Sequence, residues 1–505
     1  MEQRSVAVVQ PELAEDNLGF FRWGSIAGKV LVTTDSGDWV FLTESAFEDL
    51  LAGRVVAGHA RFEEVQRKGI IRDGLDLDAF AERMGRRNRH VRSGLHVHVV
   101  MLTSRCNQGC ASCRVAGAPA AGTNGDMRPE TAEKIVDLAL QSTAPSITFE
   151  FQGQGGEPLL NLDVLRHLVD LARVRNQQAA GKTLTFSVLS NFTGMTVEAA
   201  EWLIANDVLV CTSLDGPAHV HDANREWKHG SAHAQVVHWI DYLNRRYVEL
   251  GRDPRVWNID ALLTTTRPML HAWRDVVDEY VTRGMRSITL RPLNPSAVPR
   301  DRWAALGYTA AEYLDFYRHA LDYILELNRR GVELVERTAS IFLIKILTAD
   351  DAGVVDLQSP SGAGTAQIAY DCDGRIFPDD DARRLDASGD PFFELGDVRN
   401  QTVSGLVQHP TVRAIAAASL LDAQPMCAEC WNKPFCGFSP VRNFVTQGDL
   451  FGQRPRCFEC REHKTVSARL FELLAADGAA TSEILKRWAS TRPRVGGERA
   501  LKDAP

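Results

Sequence analysis

Between residues 95 and 293 the apolar positions switch back and forth between two periods. "LHVHVVMLT" (95–103) alternates apolar and polar residues, as a half-buried strand does. After Pro129, the residues Ala132, Ile135, Val136, Ala139 and Leu140 fall at i, i+3, i+4, i+7 and i+8, one apolar stripe along a helix. Strand patterns return at "SITFEFQG", "TLTFSVLSN", "VLVCTSLDG", "VWNIDALLTTT" and "SITLRPL". Amphipathic helical patterns lie between them, for example over 196–206 and 232–246. Six β-α repeats predict a parallel sheet, and right-handed crossovers curl it. Six strands fall short of a closed eight-stranded barrel. The expected fold class is therefore α/β, a partial (β/α)6 TIM barrel over residues 93–305.

The flanks read differently. "KVLVTTDSGDWVFLT" predicts a hairpin around an Asp-Ser-Gly-Asp turn, with Val30, Val32, Val40 and Leu42 holding it together. A short helix follows, with Gly53 as its stop, and "RFEEVQRKGII" predicts another helix leading to a strand. Residues 1–92 thus form a small α+β domain of their own. After the barrel come a helical linker (306–365), a cysteine-rich segment (366–468) and a C-terminal helix and tail (469–505).

Composition narrows the class. At 505 residues the chain has room for about three domains. Its 44% hydrophobic and 24% charged residues are those of an ordinary globular protein. A net charge of -8 argues against a nucleic-acid partner, which needs a concentrated basic surface. "MEQRSVAVVQPELAEDN" lacks the apolar core of a signal peptide. "ASIFLIKIL" is broken by Lys345 and falls short of the ~20 apolar residues of a membrane helix. The expectation is a cytoplasmic protein with no membrane partner. Ten cysteines in a reducing compartment then point away from disulfides and towards metal. Eight are grouped: Cys106, Cys110 and Cys113, then Cys427, Cys430, Cys436, Cys457 and Cys460. Cys211 and Cys372 stand apart.

The first group is spaced C-x3-C-x2-C, one short of the four protein ligands of a tetrahedral site or a cubane cluster. Three such cysteines suit a zinc ion or a packed core as well as a cluster. Their position decides more. Cys106 follows the first strand, "GGEP" (155–158) the second, "SN" (190–191) ends the third, "SLDG" (213–216) the fourth and "RPLNP" (291–295) the sixth. In such barrels chemistry collects at the C-terminal ends of the strands. This combination, with "SLDGPAHVHDANR", resembles the radical S-adenosylmethionine (SAM) superfamily over roughly residues 95–300.

The resemblance implies that Cys106, Cys110 and Cys113 hold a 4Fe-4S cluster whose open iron takes SAM. Gly155 and Gly156 would let the backbone approach the cofactor, and Glu157 would neutralise its amine. Ser190, Asn191 and Ser213 would bond ribose or carboxylate, Arg225 would offer a fork to the carboxylate, and Leu293 would pack near adenine. Two departures stand out. Ser112 replaces the usual aromatic residue before the third cysteine, and "FEFQGQGGEP" carries two extra residues, Gly153 and Gln154, expected to form a bulge.

"CAECWNKPFCGFSPVRNFVTQGDLFGQRPRCFECREHK" resembles the SPASM module, which carries auxiliary iron–sulfur clusters; a zinc ribbon is the alternative. The resemblance implies ligands Cys427, Cys430 and Cys436, with Cys460 as the fourth and Cys457 as its rival. Pro440 and Asp379 stand where the full module has cysteines, so one auxiliary 4Fe-4S cluster is expected at least, with Cys372 either a ligand or a plain thiol. Asp380 aligns with an aspartate that serves as a base in sulfatase-maturing relatives, and is the candidate catalytic residue. The N-terminal domain resembles the small winged-helix domain that binds leader peptides, and a packing cap is the alternative. Nearly the whole chain resembles the radical SAM/SPASM maturases of His-Xaa-Ser repeat peptide systems. That implies crosslinking of a ribosomal precursor peptide, with an electron donor of flavodoxin or ferredoxin type. The alternatives are formylglycine formation of the sulfatase-maturase kind and a non-catalytic zinc-binding scaffold. Residues 1–92 hold none of the SAM motifs, so their removal is expected to spare iron binding and SAM cleavage.

Overall fold

The computed structural model describes residues 17–113, 125–152, 155–179, 181–254, 256–348, 350–476 and 478–490. The bulge expected at Gly153 and Gln154 lies outside the described residues. In chain order the strands are β1 (Arg22–Ile26), β2 (Lys29–Thr33), β3 (Trp39–Leu42), β4 (Val97–Val100), β5 (Gly109–Cys110), β6 (Ser146–Phe151), β7 (Thr183–Leu189) and β8 (Val208–Ser213). They continue as β9 (Arg225–Glu226), β10 (Asp260–Thr264), β11 (Ser287–Arg291), β12 (Val335–Glu336), β13 (Gln367–Tyr370), β14 (Arg375–Phe377) and β15 (Gly396–Asp397).

Strands β4, β6, β7, β8, β10 and β11 lie side by side in that order, every neighbouring pair parallel. Each falls within one of the six stretches the periodicity singled out. Helices Pro129–Leu140, Leu162–Ala179, Val197–Ala205, Ala232–Glu249 and Trp273–Thr282 make the crossovers. Alternation explains the layering: on β6, Ile147, Phe149 and Phe151 are buried while Ser146, Thr148 and Glu150 are not. The first helix buries Ala132, Ile135, Val136 and Ala139, the predicted stripe.

The sheet does not stop at six strands. It has ten, ordered β12-β11-β10-β8-β7-β6-β4-β13-β14-β15, and is mixed. An open parallel sheet leaves unpaired N–H and C=O groups on each edge strand. Here β12 covers β11, and β13 covers β4 in parallel register from Gln367↔Val97 to Tyr370↔Val100. Strands β14 and β15 follow antiparallel. The division expected at residue 366 therefore falls inside a continuous sheet.

At the N-terminus, β1, β2 and β3 form a separate antiparallel sheet. The hairpin is β2–β3; β1 was not foreseen, because "RWGSI" carries little apolar alternation. The strand expected after the helix Phe62–Arg67 is reduced to one bridge, Leu18↔Ile71. One face of the small sheet, with Val32, Val40 and Leu42, closes its own core with Phe47 and Leu50. The other face, with Leu31, Trp39 and Phe41, packs on the main body, where Trp39 and Phe471 meet edge to face at 5.2 Å. Among the described residues no helix is long and apolar enough to cross a membrane.

Candidate functional site

A cavity of about 670 Å³ opens where the parallel strands end. Cys106, Cys110 and Cys113 line it together. Their loop is pinned at both ends. At its start the Arg105 guanidinium donates to Asp126 at 2.8 and 2.7 Å and to the Leu160 carbonyl at 2.8 Å. Further on, β5 pairs with β9, setting Gly109 opposite Glu226 and Cys110 opposite Arg225. Asn191 Nδ2 approaches Cys106 Sγ at 3.8 Å. Burial pushes the Cys106 thiol up to about 12 and the Cys110 thiol up to about 11. The Cys113 charge adds to both, so the three sulfurs are close enough to oppose one another's ionisation. Such thiols become thiolates only against a strong positive charge.

The turn after β6 is zipped to this loop. Glu157 N–H donates to the Arg105 carbonyl at 2.7 Å. A Cβ on Gly156 would stand 1.7 Å from the Thr103 carbonyl oxygen, so only glycine allows the two backbones to meet. Gly155 lies at φ +121°, also glycine territory. The Glu157 side chain is 1% exposed. Its carboxylate accepts from Ser190 Oγ at 2.8 Å, Leu159 N at 3.1 Å and Asn191 N at 2.9 Å. Burial raises its pKa to about 6 against these hydrogen bonds. No cation pairs with it among the described residues.

The other expected residues reach the same cavity. Gly155, Gly156, Glu157, Ser190, Asn191 and Ser213 line it, and so do Arg225 and Leu293. Leu293 is fixed by its N–H, which donates to the Tyr308 hydroxyl at 2.6 Å. Arg225 differs from expectation in one respect. Its Nε and Nη2 donate to Asp215 at 2.8 and 3.3 Å, so one edge of its fork is already taken. Burial works to lower its pKa and is outweighed by Asp215 and Cys110. Asp215 itself was missed; the signal was an acid in "SLDG" ten residues before an arginine.

Asp380, the candidate base, does not line the cavity. It opens the helix Asp380–Asp386, where Asp379 is the N-cap, accepting from Ala382 N at 2.8 Å. The Asp380 carboxylate is held by Arg383 at 2.7 Å and Arg384 at 3.5 Å, and it is these two arginines that reach the cavity. Cys372 lines the cavity too, its thiol pushed up to about 12 by burial and by Asp371. It is thus apart from the second cysteine group.

In that second group, burial and the charges of Cys430, Cys460 and Cys427 together lift Cys436 far above the usual thiol range. Burial raises Cys427 to about 11, and Cys460 and Cys430 add to it. Cys457 is buried, and its Sγ faces Asn443 Oδ1 at 3.7 Å. Cys427, Cys430 and Cys460 all act on Cys436, while Cys457 interacts with Cys460 alone among these thiols. His463 Nδ1 lies 3.7 Å from Cys436 Sγ and donates to the Gly437 carbonyl at 3.1 Å. Among the described residues, no three His, Cys, Asp or Glu side chains close tightly enough to hold a single metal ion.

Comparison with known proteins agrees with this geometry. Residues 93–238 match the family described as a 4Fe-4S single cluster domain. An uncharacterised protein of Methanocaldococcus jannaschii is 26% identical over 204 residues, 40% of this chain and 64% of that protein. The serine-type anaerobic sulfatase-maturating enzyme of Bacteroides thetaiotaomicron is 29% identical over 175 residues, 34% of this chain and 39% of the enzyme. The chain therefore spans less than two thirds of the length of these relatives. Among solved structures, anSMEcpe with bound AdoMet matches with a TM-score of 0.61 at 19% identity, over 78% of this chain and 98% of that one. Streptococcus suis SuiB bound to S-adenosylmethionine matches with a TM-score of 0.50 at 13% identity, over 87% of this chain and 98% of that one. Residues 93–238 thus match a 4Fe-4S single cluster domain, and the fold of the chain is that of anSMEcpe and SuiB.

Proposed function

We propose that this chain is a radical SAM/SPASM enzyme that modifies a ribosomally made precursor peptide. It would remove hydrogen from an unactivated C–H bond and close a side-chain crosslink. One observation carries the reading: a single cavity gathers three thiols from one loop with the polar groups at the ends of four other strands. The donor set fits a 4Fe-4S cluster with one open iron. Three half-buried thiols oppose one another's charge there, and Glu157 beside them accepts three neutral donors and has no cation partner among the described residues. When bound, the cluster and SAM would supply the electron and the 5′-deoxyadenosyl radical.

The chain's own residues would do the rest. Cys106, Cys110 and Cys113 hold the cluster. Glu157 takes the SAM ammonium. Ser190, Asn191 and Ser213 bond its ribose or carboxylate, Leu293 packs near its adenine, and Asp215 orients Arg225 beside Cys110. Cys427, Cys430, Cys436 and Cys460 would hold an auxiliary cluster, which would supply an acceptor for the electron of the substrate. Loss of one hydrogen atom, one electron and one proton leaves the peptide two hydrogens lighter. A flavodoxin or ferredoxin type donor supplies the first electron in the cytoplasm. Residues 1–92 hold the leader on a strand edge of the small sheet.

Likeness to a sulfatase-maturating enzyme favours formylglycine as the second reading. The position of Asp380 weighs against it, since that carboxylate is spent on Arg383 and Arg384. Co-expression with the neighbouring small open reading frame, followed by mass spectrometry, separates the readings. A loss of two hydrogens with no fragmentation between two linked residues is the expected result. The same loss with ordinary fragmentation means formylglycine. An anaerobically purified protein that is colourless and holds zinc, or a Cys106/Cys110/Cys113→Ala triple variant that still forms 5′-deoxyadenosine, overturns the radical SAM reading.

A further inference from the structure

The wall that β11 and the helix Asp380–Asp386 give to the cavity is cationic: Arg291, Arg383 and Arg384 line it, with Arg375 nearby on β14. Most of this charge is neutralised within the chain. Arg375 pairs with Asp371, Asp373 and Asp386. Arg383 is held by Asp380. Arg384 pairs with Asp381, but Asp381 is shared with Arg442 at 2.7 Å. The Arg384 Nη1 also lies 3.5 Å from Asp380, so both ends of its guanidinium face carboxylates.

Among the described residues Arg291 has no direct partner; Asp381 and Asp380 act on it only from beyond ion-pair distance. Among the described residues its guanidinium makes no hydrogen bond and no ion pair within 4 Å. It is the last residue of β11, in register with Thr264, and its carbonyl accepts from Thr265 N at 3.0 Å, so its backbone is fixed at the rim. Burial and the like charges of Arg384 and Arg442, only partly offset by Asp381 and Asp380, pull its pKa down to about 10, which still leaves it charged at neutral pH. The acids of the cavity wall are committed elsewhere: Asp371 and Asp373 to Arg375, Glu157 to its three donors. A desolvated cation with no partner is costly, and a ligand that supplies the missing charge recovers that cost.

We propose that Arg291 is a carboxylate receptor, so that the peptide residue entering this cavity carries a carboxylate. This rests on the peptide-modifying reading above and names its substrate class. A planar guanidinium matches the two oxygens of a carboxylate with parallel N–H donors. The carboxylate comes either from an Asp or Glu side chain or from a chain end.

The test uses SAM-loaded, reconstituted enzyme and three synthetic pentapeptides in titration calorimetry. One is blocked at both ends with a central Asp. One is identical with Asn. The third has Asn and a free C-terminal carboxylate. The Asp peptide should bind about tenfold more tightly than the blocked Asn peptide. That ratio should collapse towards one in Arg291→Gln and be partly kept in Arg291→Lys. If the third peptide binds as well as the Asp peptide, the chain end is the source. Equal affinity of the Asp and blocked Asn peptides for the wild-type protein, or no measurable binding of either, overturns the proposal without any variant. So does an Arg291→Gln protein that keeps the ratio, or one whose loss falls on SAM affinity instead. A wild-type protein that shows the ratio yet cleaves no SAM would sink the radical chemistry and leave the receptor standing.

Discussion

Asp380 shows how a residue changes meaning once its neighbours are known. Two arginines hold it, and it stands behind the cavity wall. A general base must come within hydrogen-bond reach of the proton it takes, and this carboxylate is not among the residues lining the cavity. Its work is to position Arg383 and Arg384. Asp380→Asn should therefore raise the peptide KM about tenfold, as one charge-assisted pair is lost, with a smaller change in kcat. A collapse of kcat at unchanged KM would restore the base. The same scale separates two adjacent thiols. Cys460 acts on Cys427 and Cys436, while Cys457 turns to Asn443. Cys460→Ala should lose the auxiliary cluster's iron and sulfide, and Cys457→Ala should keep them, by chemical analysis of anaerobically purified protein. The opposite pattern would exchange their roles.

At the scale of elements, the seam between β4 and β13 joins the barrel to the cysteine-rich segment. His98 of β4 is fully buried there, stacked on Tyr370 of β13 at 5.8 Å, with its Nδ1 2.8 Å from the Tyr370 hydroxyl. Burial, helped by His96, pushes its pKa down to about 3. The unfolded chain takes up this proton near pH 6.5 and the folded one does not. The neutral ring's contribution is thus fully present above about pH 6.5 and is lost as pH falls towards 3. One such histidine costs about 2 kcal/mol at pH 5. His98→Gln, which can still accept from Tyr370, should flatten the fall of Tm between pH 7 and pH 5. An unchanged slope would place the acid sensitivity at the other buried histidines, His221 and His463. The pairing of β5 with β9 belongs to this scale as well: two residues on each side bring Cys110 to Arg225 from loops 115 positions apart.

Across the whole molecule, the N-terminal domain clamps the segment that carries the second cysteine group. Thr33 Oγ1 donates to the Trp431 carbonyl at 2.8 Å, and Lys433 pairs with Asp35 at 2.9 Å. Arg22 donates to the Ala428 carbonyl and Arg87 to that of Pro434. These contacts all fall between Cys427 and Cys436. The sequence alone suggested that removing residues 1–92 would spare the chemistry. The contacts predict otherwise for half of it. A chain starting near Val91 should keep the iron of the first group and cleave SAM, yet lose most of the auxiliary iron and melt at a lower temperature. Full iron content in the truncated protein would make the domain a detachable reader of the peptide.

The amino-acid sequence by itself determined the element types, the six parallel strands and the gathering of the motifs at their ends. Those follow from local period and from chain order, because a right-handed β-α repeat leaves every strand end on one side. It also marked both cysteine groups, whose spacing is local. Tertiary structure alone decided that β13 would extend the sheet, that Asp215 would occupy one edge of Arg225, and that Asp380 would stand behind the wall it shapes. It also turned one face of the hairpin onto Trp431 and Phe471. Each of these depends on which side chains meet across tens to hundreds of residues. A periodic pattern says which face is apolar; it does not say what that face will find.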